Sequence, residues 1–213
     1  MTNMFYRVVN VIILPAFPEI QKQYAHQNLA YIYDKVKLYW RISVSLIIAT
    51  VTIGMPLLPY IYSFWTKNEL HFDFYIVGFL IVAMSLQIFG TIINEFFKKT
   101  NYSAQLLVYN VIKLAVTSIL LILFGYFSIS QGVAVALSAG EGVSLIYLLY
   151  CFAGVFKTVL KPMYIMYRLI PVLLFCISVI LFVILDNYTV LLLCNIPVML
   201  FFAYKKYHNL QQW

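Results

Sequence analysis

The sequence predicts an all-α integral membrane protein of about six full transmembrane helices plus an N-terminal half-helix. Three observations predict it. Hydrophobic residues make up 64% of the 213 residues and charged residues only 10%. The apolar residues gather into runs long enough to cross a bilayer. The segments that join the runs alternate between basic and non-basic. A water-soluble domain is about half apolar and about a quarter charged, so the solvent for this chain is lipid.

The runs cover 42–65, 74–96, 103–127, 130–154, 164–185 and 187–204. Residues 4–17 form a shorter apolar piece. It would cover about 20 Å, less than a hydrocarbon core of about 30 Å. Residues 1–17 therefore read as the end of a truncated transmembrane helix. Residues 18–41 read as a cytoplasmic amphipathic segment. Residues 42–154 hold four spans, and 155–213 hold two more with a tail.

Charge orients these spans. Lys22, Lys35, Lys37 and Arg41 precede the first full run, and Lys98 and Lys99 follow the second. Lys157, Lys161 and Arg168 separate the fourth from the fifth, and Lys205 and Lys206 follow the sixth. The alternate connections, 66–73, 128–129 and 186–187, contain only Lys67 among basic residues. The positive-inside rule puts 18–41, 97–102, 155–168 and the C-terminus in the cytoplasm. This arrangement accounts for most of the net charge of +7. The lysines are expected to orient the chain and to meet membrane lipids. No soluble basic stretch interleaved with aromatics suggests nucleic acid.

Prolines mark the expected bends. Pro15 and Pro18 disfavour a continuous helix where the first apolar piece ends. Glu19 would then occupy the first turn of a new helix, where the dipole favours an anion. Ile20, Tyr24, Ile32 and Val36 suit an interfacial helix lying along the membrane. Gly54, Pro56 and Pro59 are expected to bend the outer half of the 42–65 span. Tyr60, Tyr62 and Trp65 fit an outer aromatic belt.

Few polar residues are left to carry a function. Cys151, Cys176 and Cys194 lie in apolar runs without a CxxC spacing. His26, His71 and His208 are scattered. No metal, cofactor or catalytic motif is visible. Arg7, Lys113 and Glu141 are the charges at membrane depth, where charge normally faces a protein interior or a wet cavity. Lys113 lies fifteen residues before the 128–129 turn and the Glu141 position thirteen after residue 128. In an antiparallel hairpin that difference is about 3 Å along the axes, so the two can sit at the same depth and form a midplane ion pair. Three readings stand: a pair that stabilises the hairpin, a pair that lines a substrate cavity, or two side chains that point apart. Ser138, Ala139, Gly140 and Gly142 surround Glu141 with small side chains and permit close helix approach. Gln87 and Asn94 are candidate interhelical bridges.

Four stretches together resemble a known family. They are LPAFPEIQKQYAHQNLAYI (14–32), the span from KLYWRISVS to GMPLLPYIYSFW, FFKKTNYSAQLLVYNVIKLAV (96–116) and SISQGVAVALSAGEGVSLIYLLY (128–150). In this order the chain resembles the C-terminal part of bacterial polysaccharide flippases. These are the O-antigen and capsule repeat-unit exporters of the multidrug and oligosaccharidyl-lipid exporter superfamily. The resemblance covers roughly 1–155, and the last two spans are compatible with fourteen-helix members.

The resemblance implies the C-terminal lobe of a twelve- to fourteen-helix flippase. It implies an undecaprenyl-pyrophosphate-linked oligosaccharide as substrate, moved across the bacterial inner membrane for polysaccharide or lipopolysaccharide biosynthesis. It also implies transport without a chemical step, and therefore no enzyme. Basic cavity residues meet the pyrophosphate in this family, which makes Arg7 and Lys113 candidates, with Glu141 beside the latter. The first lobe has no counterpart here, so the chain is expected to be a fragment, inactive without that lobe or other polysaccharide-assembly proteins. Two alternatives are a small-molecule exporter of the same superfamily and a membrane enzyme of polysaccharide assembly. The first would favour acidic cavity residues, and Glu141 is the sole deep carboxylate. The second would need a large external loop or a clustered catalytic set.

Overall fold

A computed structural model describes residues 11, 15, 17–67, 69, 71–127, 129, 131–157, 163–185 and 187–210, the backbone alone for 163–169, 199 and 201–210. The described residues form helices and no strand. In order they are α1 (Phe17–Ala25), α2 (Leu29–Gly54), a 3₁₀ turn (Met55–Leu57), α3 (Leu58–Thr66), α4 (Phe74–Lys99) and α5 (Ser103–Tyr126). Then follow α6 (Gly132–Val155), α7 (Met163–Leu185) and α8 (Tyr188–Leu210). Among the described residues four stretches are long and apolar enough to cross a membrane: Leu29–Thr66, Phe74–Lys99, Ser103–Tyr126 and Gly132–Val155. Ile170–Leu185 and Tyr188–Val198 are shorter apolar stretches on α7 and α8. The protein is a membrane helical bundle.

α4 is the hub. It packs against α2, α6 and α7, and more lightly against α5. Its buried face includes Val82, Leu86, Phe89, Ile92, Ile93 and Phe96, recurring at helical spacing. Asp73 caps its start, with Oδ1 accepting from the Tyr75 amide at 2.8 Å and the Ile76 amide at 3.1 Å. Trp40 of α2 donates its indole N–H to the Phe89 carbonyl of α4 at 3.1 Å. Ser138 of α6 donates to the Phe79 carbonyl at 2.6 Å. These two side chains tie α4 to its neighbours, whereas Gln87, the bridge expected from sequence, is exposed.

The 18–41 segment differs from a single interfacial helix. α1 ends at Ala25, and the chain turns through His26–Asn28, where Gln27 adopts a left-handed φ of 55°. α2 starts at Leu29 and runs on without a break into the apolar span. Asn28 caps it by accepting from the Tyr31 amide. Polar Gln27 and Asn28 supply the turn chemistry that splits the segment. Ile20, Ile32 and Val36 are buried in the bundle.

Pro18 sits in the first turn of α1, where a missing N–H costs nothing, and Pro15 is exposed just before it. α2 stops at Gly54. Pro56 lies in the 3₁₀ turn and Pro59 in the first turn of α3. The apolar stretch from α2 to α3 is thus one segment with a 3₁₀ joint. Exposed Tyr60, Phe64 and Trp65 follow the joint.

Each end of the bundle is fastened by aromatics. At the Lys98–Lys99 end, Phe96 contacts Phe152 at 5.9 Å and Phe156 at 5.6 Å, and Tyr33 reaches Phe156 at 5.9 Å. Tyr24 of α1 joins this cluster edge-on to Phe96 at 6.1 Å. At the opposite end, Phe74 meets Phe72 at 4.8 Å and Phe182 at 6.1 Å.

A buried polar network docks α7 and α8 onto α2. Ser178 of α7 donates to Asn195 Oδ1 of α8 at 3.0 Å, and Asn195 Nδ2 donates to Thr52 Oγ1 of α2 at 3.0 Å. The Tyr188 hydroxyl donates to the Thr52 carbonyl at 2.7 Å. Hydrogen bonds between helices take the place of a hydrophobic drive that lipid removes. Gly78 of α4 adds a close approach to α7: a Cβ there would lie 2.3 Å from Val183 Cγ2.

Candidate functional site

Small residues bring α5 and α6 together. Gly132, Ala136 and Gly140 recur every four residues on α6, the spacing that lets helix backbones approach in lipid. A Cβ on Gly140 would lie 2.1 Å from Thr117 Oγ1 and 3.2 Å from the Lys113 carbonyl oxygen. A Cβ on Gly132 would lie 2.3 Å from Phe124 Cβ. Only glycine fits at these two positions without a shift.

The charges meet where those helices touch. Lys113 Nζ of α5 pairs with Glu141 Oε1 of α6. Both lie near the middle of their helices. The Glu141 side chain is 7% exposed and the Lys113 side chain 30%. The buried Tyr109, one turn before Lys113, has its hydroxyl beside Glu141 and Ser144. The Ser144 hydroxyl donates to the Glu141 carbonyl at 3.1 Å. Glu141 Oε2 is buried and has no hydrogen-bond partner among the described residues.

α5 itself is barely covered. Tyr109 is its one buried residue, while Leu107, Val111, Leu114, Ile119 and Ile122 are exposed. The helix packs chiefly against α6. Asn110, Lys113 and Thr117 form a polar stripe at helical spacing on this helix. Lys113 is thus anchored on one side and open on the other.

The remaining candidates lie elsewhere. Arg7 is outside the described residues. Pro15 and Pro18 lie at the approach to α1 and in its first turn, Pro56 in the 3₁₀ joint and Pro59 in the first turn of α3, none of them on α5 or α6. A cavity of about 380 Å³ lies between α2, α3 and α4, lined by Val51, Met55, Leu58, Ile81 and Met84 among others. Its lining is apolar and offers nothing to bind a charged group. Among the described residues no group of three His, Cys, Asp or Glu is placed to hold a metal ion. Cys151, Cys176 and Cys194 are free and half-buried.

Sequence reasoning missed two features. The Thr52–Asn195–Ser178 network had no signal beyond an asparagine inside an apolar run. The α1 clasp had a weak one. Gln21 donates to the Lys99 carbonyl at 3.1 Å, and the Tyr24 and Tyr102 hydroxyls are 3.0 Å apart. That bond to Tyr24, with partial burial, pushes the Tyr102 phenol up to about 12.

Comparison with family models, with curated proteins and with solved structures gave no match.

Proposed function

We propose that this chain is one lobe of a transporter that flips undecaprenyl-pyrophosphate-linked oligosaccharide repeat units across the bacterial inner membrane. The observation that carries the reading is the half-open Lys113–Glu141 pair at mid-membrane depth. A cation beside hydrocarbon is costly, so its exposed side is expected to face water or protein. α5 presents that side away from the rest of the bundle. A second lobe opposite α5 and α6 would close a wet cavity there, with Lys113 on its wall. An ammonium held at this depth suits a phosphoryl oxygen. The resemblance of the 14–32, 96–116 and 128–150 stretches to polysaccharide flippases supports the same substrate class. In this reading six spans cross the membrane and the C-terminus is cytoplasmic, by the lysine distribution.

The test is complementation. The complete reading frame that contains this chain is expressed in a bacterial strain lacking its own repeat-unit flippase. The reading expects surface polysaccharide to return. A stably expressed protein that restores none would overturn it.

A further inference from the structure

The cavity of about 380 Å³ lies beside the joint in the long apolar segment. Its origin is local. α2 ends in Gly54, which lines the cavity, and nothing lies within 4 Å of the place a Cβ would take there. The 3₁₀ turn at Met55–Leu57 then re-aims the chain. α3 packs against this joint and hardly against α4, so a cleft stays open between them.

Water does not fill this cleft. Thr50 and Ser85 are the polar side chains of its lining, and the Thr50 hydroxyl is spent on the Leu46 carbonyl at 2.8 Å. A buried water needs about three polar partners, and the cleft does not offer them. An empty cleft is excluded as well. A void costs stability in proportion to its volume, and one of this size would cost about as much as a domain has. The occupant is therefore apolar.

The shape of the cleft identifies it. Its rim residues Leu57 and Ile61 are about half exposed, so it opens on the face of the bundle turned to lipid. Its inner wall, which includes Met55, Ser85 and Ile88, is buried. Along α4 it runs from Val77 to Ile88, a rise of about 16 Å. That is the hydrocarbon depth of one leaflet, half of about 30 Å. Its volume is at the small end for a ligand cavity, which suits one chain. Tyr60 and Trp65 stand exposed on α3, at the end of the segment where an aromatic belt meets headgroups.

We infer that an acyl chain of a phospholipid, from the leaflet on the Asp73 side, occupies this cleft as part of the bundle. The chain enters between Leu57 and Ile61, and its methyl end reaches Ile88. A polyprenyl chain of the length that the flippase substrate carries is far longer than one leaflet and would overrun the cleft. The inference uses neither Lys113 nor Glu141, and it stands whichever molecule the protein transports.

The experiment is photocrosslinking in phosphatidylethanolamine–phosphatidylglycerol vesicles. They contain the purified protein and a small share of phosphatidylcholine with a diazirine near the end of one acyl chain. Adducts are mapped by peptide mass spectrometry. The expected result is adducts on Met55, Ser85 or Ile88, which bulk lipid cannot touch, beside adducts on the exposed Leu114 of α5. Gly54→Phe puts a ring into the cleft from a position with open space around it. It should cut the buried adducts at least about fivefold and leave those on Leu114 unchanged. Gly154→Phe, equally unobstructed, should change neither. Wild-type adducts on Leu114 but none on the buried residues, or buried adducts unchanged in Gly54→Phe, would overturn the inference. Loss of the buried adducts on adding an equal share of undecaprenyl phosphate would also overturn it, because the occupant would then be an isoprenoid. The wild-type adduct map decides the matter even if Gly54→Phe does not fold.

Discussion

Lys113 and Glu141 pair across the α5–α6 contact near the middle of both helices, and of the two only Lys113 is open on one side. A cation open toward hydrocarbon is costly, so the open side of Lys113 is expected to face water or protein. The asymmetry has consequences for stability and for transport that can be separated.

Removing the cation alone should be more damaging than removing both charges. Lys113→Met is expected to destabilise the protein by about 3 kcal/mol, because it strands a buried carboxylate. Adding Glu141→Gln should recover most of that loss. Unfolding in mixed micelles, run on the two single variants and the double, measures the coupling. Strictly additive losses would show that the ion pair contributes nothing.

Gly140 makes the pairing possible. Gly140→Ala puts a Cβ against Thr117 and the Lys113 carbonyl, and should destabilise by about 1–3 kcal/mol through overpacking. Gly154→Ala is the control, because nothing lies within 4 Å of its Cβ. The same unfolding measurement should leave Gly154→Ala near wild type.

Asn195 ties α8 to both α7 and α2. Asn195→Leu removes the two bonds and leaves Ser178 and Thr52 with fewer partners. A loss of about 1–3 kcal/mol is expected. Hydrogen exchange should show α7 and α8 opening before α4. Uniform loosening of all helices would contradict the docking role.

The clasp between Tyr24 and Tyr102 should be alkali-sensitive. Folding raises the Tyr102 phenol from 10.0 to about 12. A raised value means that the protonated form is favoured in the fold. The contribution is therefore complete below pH 10 and is lost as pH rises toward 12. The difference in ultraviolet tyrosinate absorbance between wild type and Tyr24→Phe should show one tyrosine moved from late titration to lower pH. An unchanged titration in Tyr24→Phe would rule out the hydroxyl contact as its cause.

The sequence carried the ion pair for a simple reason. Lys113 and Glu141 flank a short turn, so counting residues from it gives their depth, and the cost of charge in lipid favours a meeting. Gly140 was legible as one of the small residues around Glu141, which permit close helix approach; its four-residue spacing from Gly132 and Ala136 was not used. The Thr52–Asn195 bond was not legible. It joins residues 143 positions apart, and apolar runs give no register for helices distant in sequence. The break at Gln27 was missed because amphipathic spacing continues from Ile20 to Val36 across it. Helical periodicity reports which face is apolar, and not whether the backbone turns on the way.

Lipid-linked oligosaccharide translocation in proteoliposomes, with the complete reading frame that contains this chain, tests Lys113 as a substrate-binding cation. Translocation is expected in the wild type, most of it kept in Lys113→Arg, with a loss of at least about tenfold in Lys113→Ala at equal protein content. A stable Lys113→Ala variant that translocates as fast as the wild type would contradict that role.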